Sequence, residues 1–323
     1  MTKAIRIHAH GGPEVMRWEQ VPTPQPGANE VLIRHAAIGL NYIDVYFRSG
    51  LYKSNLPATL GMEGAGTVLA VGDNVADLAV GDRVAYAGGP LGAYATERVI
   101  AADRLVKLPD QIDFRTAGAM MLQGMTAQYL LRRTFKVQKG QTILVHAAAG
   151  GVGLILCQWA SHIGATVIGV VSTPEKATLA AANGAHHTII GHANLAAEVK
   201  KITHGAMVPV VYDSVGKDTF AASLDCLAPL GLMVSYGSAS GSIPPVDISV
   251  LGAKGSLFLT RPGLATYTAT HGDLLAVSAE LFDVVISGAV KIQVNQTFAL
   301  ADAAAAHEAL EARRTTGSTV LLP

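Results

Sequence analysis

The residues with the clearest chemical use sit in one short run, His146-Ala147-Ala148-Ala149-Gly150-Gly151-Val152-Gly153. Read from Ala148 the run is A-x-G-x-x-G, with alanine where such patterns usually begin with glycine. An apolar stretch over 142–146 leads into it. Apolar residues at Val152, Ile155, Leu156, Trp159 and Ile163 leave it at helical spacing, and Gly164 stands where that helix stops. A strand that turns into a helix through small residues aims backbone N–H groups and the positive helix end at one point. A pyrophosphate fits that point, since small side chains let it approach the backbone closely. The alternative is a tight turn without a ligand, and the flanking strand and helix favour the phosphate cradle. No cationic side chain is needed, and residues 140–174 contain no Asp, Glu, Lys or Arg.

The second chemical signal lies roughly 20 residues further on, where a dinucleotide's ribose is read. The β-branched stretch 166–171 ends in Ser172-Thr173, followed by Pro174-Glu175-Lys176. A free ribose 2′-hydroxyl is normally held by an Asp or Glu at the strand end, and none is present there. A hydroxyl at Ser172 and a cation at Lys176 suit a 2′-phosphate instead. The pair points to NADPH rather than NADH, against the plainer alternative that Lys176 is a solvated helix residue.

Two kinds of element must position these groups. In the first third, residues 3–8 alternate, Gly11-Gly12-Pro13 turns, and 15–20 returns as the second arm of a hairpin. Pro22, Pro24, Pro26 and Gly27 form a loop before a strand over 30–38. A short helix is expected over 41–48, closed by Ser49-Gly50, and strands over 64–71 and 82–86 are separated by glycine turns. Short strands with frequent turns suggest a small barrel or sandwich. Near residue 123 the texture changes to α/β. Strands over 142–146, 166–171, 208–212, 232–236 and 255–259, the last three read as buried, alternate with helices, which implies a parallel, doubly wound sheet. A helix over 274–287, a strand near 290–294, a helix over 300–313 and a strand over 319–322 are left to join the first domain.

Composition narrows the function classes. The chain of 323 residues carries 24 basic and 24 acidic side chains, only 15% charged in all, and two cysteines. A half-apolar chain of zero net charge is not disordered, and without a basic excess it is no general nucleic-acid scaffold. Two cysteines cannot build a disulfide framework or a four-thiolate zinc site, and Cys157 and Cys226, each expected within a helix, read as core packing. No two histidines stand at i, i+4, and His186 and His187 are adjacent and point apart. The uncharged run is long enough to span a bilayer, but Gly150, Gly151, Gly153 and Gly164 break it into short pieces. The N-terminus shows no signal peptide, and a soluble, cytoplasmic protein is expected.

With these residues in view, the whole chain resembles the medium-chain dehydrogenase/reductase superfamily, and within it the zinc-independent NADPH:quinone oxidoreductases, the zeta-crystallin-like branch. The resemblance rests on His10-Gly11-Gly12-Pro13-Glu14-Val15, Gly39-Leu40-Asn41-Tyr42-Ile43-Asp44, Arg48-Ser49-Gly50-Leu51-Tyr52, the 146–153 turn, Tyr212-Asp213-Ser214-Val215-Gly216 and Thr260-Arg261-Pro262. It implies a GroES-like catalytic domain from residues 1–122 and 263–323, around a Rossmann NADPH-binding domain from 123–262. By position it implies that Asn41, Asp44, Tyr46 and Thr126 lie near the nicotinamide and its ribose, and Ala149, Gly150, Gly151 and Val152 at the pyrophosphate. Ser172, Lys176 and Arg313 match the 2′-phosphate group, and Ser214, Tyr236, Gly237 and Thr260 match further cofactor contacts. Where relatives often carry a tyrosine in the 2′-phosphate pocket this chain reads Gly191-His192, so His192 is the substitute contact.

The resemblance also implies the chemistry. Zinc alcohol dehydrogenases carry a histidine where this chain reads Gly61-Met62-Glu63, and a cysteine where it reads Leu40-Asn41, so no metal is expected. Without a Lewis acid the substrate must accept hydride easily, as a quinone does. Asn41 and Tyr46 are candidate hydrogen-bond donors toward the developing oxyanion, with Tyr52 and Arg261 bordering the cleft. The implied activity is NADPH-dependent quinone reduction in a cytoplasmic homodimer paired through its Rossmann sheets. The alternatives are a 2-alkenal or enone double-bond reductase, and a non-catalytic NADPH-binding protein of crystallin-like or RNA-binding kind.

Overall fold

The computed structural model describes residues 1–323, and the chain divides into two compact units. Unit 1 comprises Met1–Met125, Tyr267–Ile286 and Ile292–Pro323, and unit 2 comprises Thr126–Thr266 with Ser287–Lys291. The first junction lies within a continuous helix, Phe114–Tyr129, which is why no loop marks it in the sequence.

Unit 1 begins with the hairpin that alternation dictates. In β1 (Thr2–Ile7), Thr2, Ala4, Ile5 and Ile7 are buried while Lys3 faces solvent. It pairs antiparallel with β2 (Met16–Val21). Then follow β3 (Glu30–Leu40), α1 (Tyr42–Ser49), β4 (Ala58–Thr59), β5 (Glu63–Val71), β6 (Arg83–Ala87), β7 (Glu97–Ala101), β8 (Val106–Lys107) and α2 (Phe114–Tyr129). Ile5, Ile33, Val84, Tyr86 and Ile100 fill the core between the sheets. Helix α1 ends at Gly50, whose φ of 82° is the left-handed cap the Ser-Gly pair announces.

Unit 2 runs β9 (Thr142–His146), α3 (Gly151–Ile163), β10 (Thr166–Val171), α4 (Pro174–Ala182), β11 (His187–Ile190), α5 (Leu195–Ile202), β12 (Val208–Asp213), α6 (Phe220–Leu224), β13 (Leu227–Ser235), α7 (Ser249–Ala253) and β14 (Phe258–Thr260). Its six strands are all parallel in the order β11-β10-β9-β12-β13-β14. The order reverses beside β9, the strand that feeds the glycine turn, which is the switch point where open α/β sheets bind ligands.

The chain then returns to unit 1 through α8 (Leu264–Tyr267), α9 (His271–Ile286), β15 (Val294–Ala299), α10 (Ala303–Glu311) and β16 (Ser318–Leu322). Strand β16 joins β3, so the chain's end completes the sheet begun near its start, in the order β15-β16-β3-β5-β6-β8 with β7 also on β3.

Several expectations need correction. The strand placed at 290–294 forms at Val294–Ala299, and the helix placed at 300–313 is a 3-10 turn, Leu300–Asp302, followed by α10. Cys226 lies in the turn between α6 and β13 rather than in a helix, although it is fully buried. Strand β14 is not buried: it is the sheet's edge, with Phe258 60% and Leu259 40% exposed. Strand β11 completes the six but has only four residues and two exposed ones, too little pattern to announce it.

Candidate active site

The phosphate turn of unit 2 is built as its composition requires. Strand β9 ends at His146, Ala147 takes a positive φ of 50°, and Gly150 caps α3 in extended conformation. The turn is closed by Gly150 N–H donating to the Ala147 carbonyl (2.9 Å) and Ala148 N–H donating to Val170 of β10 (3.1 Å). No side chain caps α3, so its first N–H groups are left to a ligand. A β-carbon at Gly153 would overlap the Ala147 carbonyl oxygen, so glycine there lets helix and strand touch.

At the end of β10, Thr173 caps α4 by accepting the Lys176 N–H (3.3 Å), with Pro174 in the first turn. This fixes the start of α4 with Ser172 exposed and Lys176 half-buried at one strand end. His192 is exposed after β11. Burial, with His192 nearby, keeps the buried His146 imidazole below its ordinary pKa, although Asp213 opposes this.

A second turn follows β12. Asp213 is fully buried, and its Oδ1 accepts the N–H groups of Val215 (2.7 Å) and Gly216 (3.1 Å). Its Oδ2 accepts the hydroxyls of Thr219 (2.7 Å) and Ser223 (2.9 Å). Having donated to Asp213, Ser223 accepts from His146 Nε2 at 2.9 Å, which sets the imidazole tautomer. Ser214 is thus held in a rigid turn. Gly237 packs against the Ser214 backbone too closely for a β-carbon, and Tyr236, its hydroxyl pushed up by burial, is pinned by its N–H to the Asp213 carbonyl. Arg261 laces this region together, donating to the Ser235 and Gly237 carbonyls (3.2 and 3.0 Å) and to the Ser235 and Ser238 hydroxyls. Its hydrogen bonds are structural. Thr260 ends β14, and Thr126 is buried in α2.

In unit 1 the structure brings Asn41, Asp44, Tyr46 and Tyr52 together around α1. Asn41 precedes the helix and its N–H donates to Asp44 Oδ2 (2.9 Å), while Tyr94 Oη donates to the same oxygen (3.0 Å). Asp44 is fully buried and its Oδ1 has no partner; burial raises its pKa to about 7. Tyr46 is 7% exposed, with its ring 5.6 Å from Tyr42 and 5.2 Å from Tyr52. Behind Tyr94, His307 and Arg48 continue a buried chain to Glu311. Arg313 is exposed after α10, with φ 58°.

Models of known families match on both sides: "Zinc-binding dehydrogenase" over residues 151–261 and "Alcohol dehydrogenase GroES-like domain" over 27–110. The chain is 56% identical to a quinone oxidoreductase of Pseudomonas aeruginosa, each chain covered in full. It is 46% identical to a 2-haloacrylate reductase of a Burkholderia species, over all of this chain and 99% of the other. The solved structure of Escherichia coli quinone oxidoreductase complexed with NADPH superposes over the full length of both chains with a TM-score of 0.98 at 47% identity.

The chain belongs to the quinone oxidoreductase family.

The residues of this quinone oxidoreductase-family chain fit a dinucleotide: an uncapped helix N-terminus, a helix-to-turn contact at Gly153 that leaves no room for a β-carbon, and no acid at the end of β10. No group of three or more His, Cys, Asp or Glu side chains is placed to hold a metal ion. No helix is long and apolar enough to cross a membrane. Sequence reasoning missed Glu63, Gln123, Asp213 and His307. Glu63 stood in the Gly61-Met62-Glu63 segment and Asp213 in a family segment, so both carried a signal. Gln123 and His307 carried none, because only the fold brings distant strands beside them.

Proposed function

We infer that this chain is an NADPH-dependent quinone reductase. The observation that carries it is the uncapped start of α3, held against its turn so closely that Gly153 has no room for a β-carbon, next to a strand end bearing Ser172 and Lys176 and no acid. Ala149, Gly150, Gly151 and Val152 hold the pyrophosphate through backbone N–H groups. Ser172, Lys176 and His192 take the 2′-phosphate, and Thr126, Ser214, Tyr236, Gly237 and Thr260 make the remaining contacts of unit 2; Arg313 is assigned to the 2′-phosphate by family correspondence alone. Asn41, Asp44 and Tyr46 are assigned to the nicotinamide end by family correspondence.

NADPH supplies the hydride. The protein supplies orientation and a hydrogen bond to the oxygen that gains charge. Tyr46 Oη suits that donor role because its packed ring allows little reorganisation, and Tyr52 forms the wall beside it. The same reading makes the enzyme zinc-independent, since Asn41 and Met62 stand at the positions where zinc dehydrogenases hold ligands. It also makes it cytoplasmic, in keeping with two free, buried thiols, and a homodimer through β14, whose edge exposes Phe258 and Leu259.

The test is direct. NADPH should quench tryptophan fluorescence, and after exhaustive chelation the protein should oxidise NADPH with quinones faster than with 2-alkenals. NADPH binding without turnover of quinones overturns the assignment, and faster turnover of 2-alkenals replaces it with the double-bond reductase.

A further inference from the structure

We propose that Glu63 and Gln123 are positioning residues that orient the amide of Asn41 through a reversible hydrogen-bond relay, and so decide whether Asn41 presents an N–H or a carbonyl to the cofactor. The last clause rests on the assignment of Asn41 to the nicotinamide end; the relay itself stands on unit 1 alone.

The relay runs through four buried side chains. Ser318 Oγ donates to Gln123 Oε1 (2.6 Å), Gln123 Nε2 to Asn41 Oδ1 (3.2 Å), and Asn41 Nδ2 to Glu63 Oε2 (2.6 Å). Glu63 Oε1 accepts the Leu122 N–H of α2 at 2.9 Å. Glu63 is wholly buried, and Ser318, Asn41 and Gln123 are 2%, 5% and 7% exposed, so water does not stand in for a lost partner. All donors point one way, from Ser318 toward Glu63, and both carboxylate oxygens accept. That direction requires an ionised Glu63.

A proton on Glu63 Oε2 would set two donors against each other across a short contact. The carboxyl group cannot turn aside: its Oε2 lies where a β-carbon of Gly39 would fall, and Leu122 holds the other oxygen. The amides can turn. Oxygen and NH₂ are nearly the same size, so a half-turn of each reverses the chain without moving its path. Glu63 O–H then donates to Asn41 Oδ1, Asn41 Nδ2 to Gln123 Oε1, and Gln123 Nε2 to Ser318 Oγ, whose hydrogen swings away. One proton is gained, at Glu63, and every link of the relay is kept, while Asn41 gives up the capping-box bond that its side chain accepts from the Asp44 N–H.

The surroundings put this reversal within reach of ordinary pH. Burial pushes Glu63 up to about 8, and the charge of Asp44 in α1 adds to it, against the hydrogen bonds from Asn41 and from the α2 backbone. Tyr86 of β6 and Tyr94 also feel Glu63, and burial keeps both phenols protonated. Arg98 lies over the Tyr86 ring at 4.8 Å, and His35 and His307, beside Tyr86 and Tyr94, are held neutral by burial. Arg48, beyond His307, donates away from the relay to His307 and Glu311.

Neutron diffraction from crystals held well below and well above the Glu63 transition, about pH 8, reads the amide deuterons directly. Reversal of Asn41 and Gln123 is expected, and identical orientations at both pH values overturn the relay. Fluorescence titration with NADPH tests its consequence. In Glu63→Gln the new amide accepts from Leu122 N–H and donates to Asn41, which locks the neutral direction. In Gln123→Lys the donor-only side chain locks the opposite one. Wild-type Kd should shift about fivefold across the transition, the size of one hydrogen bond. Both variants should lack the wild-type step near pH 8, with any contribution of Asp44 near pH 7 common to all three proteins, and be displaced to opposite sides of the wild type. A step near pH 8 that survives in Glu63→Gln, or displacement of both variants to the same side, overturns the coupling to the cofactor. Quinone turnover by the wild type at one pH tests the enzymatic assignment separately.

Discussion

Lys176 carries the choice of cofactor at the residue scale. It is half-buried, and its backbone is fixed by the Thr173 cap, so its ammonium starts from an ordered base. Lys176→Ala is expected to weaken NADPH by about 1–3 kcal/mol, the loss of one charge-assisted contact, and to leave NADH nearly unchanged. Fluorescence titration with both cofactors measures this, and equal losses would show that Lys176 does not read the 2′-phosphate. Glu63 and Asp44 make a second prediction, on stability. Their folded pKa values are raised to about 8 and about 7, above the ordinary carboxyl range. The folded state therefore binds protons that the unfolded chain has released, and stability falls as pH rises through this window. Glu63→Gln removes part of that slope. Thermal melts from mildly acidic to mildly alkaline pH should show the variant losing less Tm than the wild type, and parallel curves would refute it. At this scale the strand end and helix cap that place Ser172 and Lys176 were legible because local sequence builds them. Glu63 with Gln123 was not, because their partnership spans β5, α2 and β16 and exists only once the sheet has closed.

Among elements, the joint between β9 and α3 is the most constrained. Helix and strand meet at Gly153, where a β-carbon would overlap the Ala147 carbonyl oxygen, a backbone atom that cannot rotate away. Gly153→Val must push α3 off β9. Destabilisation of about 1–3 kcal/mol is expected from overpacking, with NADPH affinity falling further because the N–H groups lose their aim. Denaturant unfolding and NADPH titration on the same preparation check it; a variant that loses stability but keeps affinity would remove α3 from the cradle. The sequence made this joint readable, since its small residues are needed locally. Elements whose form depends on distant partners were harder. The 290–299 region has weak alternation, and its strand begins at Val294 because β16 is there to pair with it. Strand β14 reads as apolar, like a buried strand, yet lies at an edge. Apolarity reports that a surface is covered, and it does not say by what.

That distinction bears on the whole molecule. Phe258 and Leu259 are 60% and 40% exposed on a strand whose one neighbour is β13, while Leu230 and Ile248 in the same unit are 67% and 79% exposed. An apolar edge strand without charge, proline or bulge is a template for another strand, and stable proteins blunt such edges or cover them. Strand β14 is only three residues long and runs into Arg261-Pro262, yet the stretch itself carries no charge or proline and leaves its two apolar side chains exposed. A second copy of the same edge would satisfy both its free backbone groups and its apolar side chains, and the contact would be closed and two-fold. The wild-type protein should therefore sediment at twice the chain mass of 33.5 kDa at micromolar concentration. Because both side chains are exposed, the double substitution Phe258→Lys and Leu259→Lys should leave the far-UV circular dichroism unchanged while repelling its copy. The expected product is a folded monomer that still binds NADPH, since neither Phe258 nor Leu259 is among the residues assigned to the cofactor and Thr260 at the end of β14 is left intact. A wild-type monomer would refute the edge as an interface. A double variant that remains dimeric would move the interface elsewhere and leave the exposure of β14 without a partner.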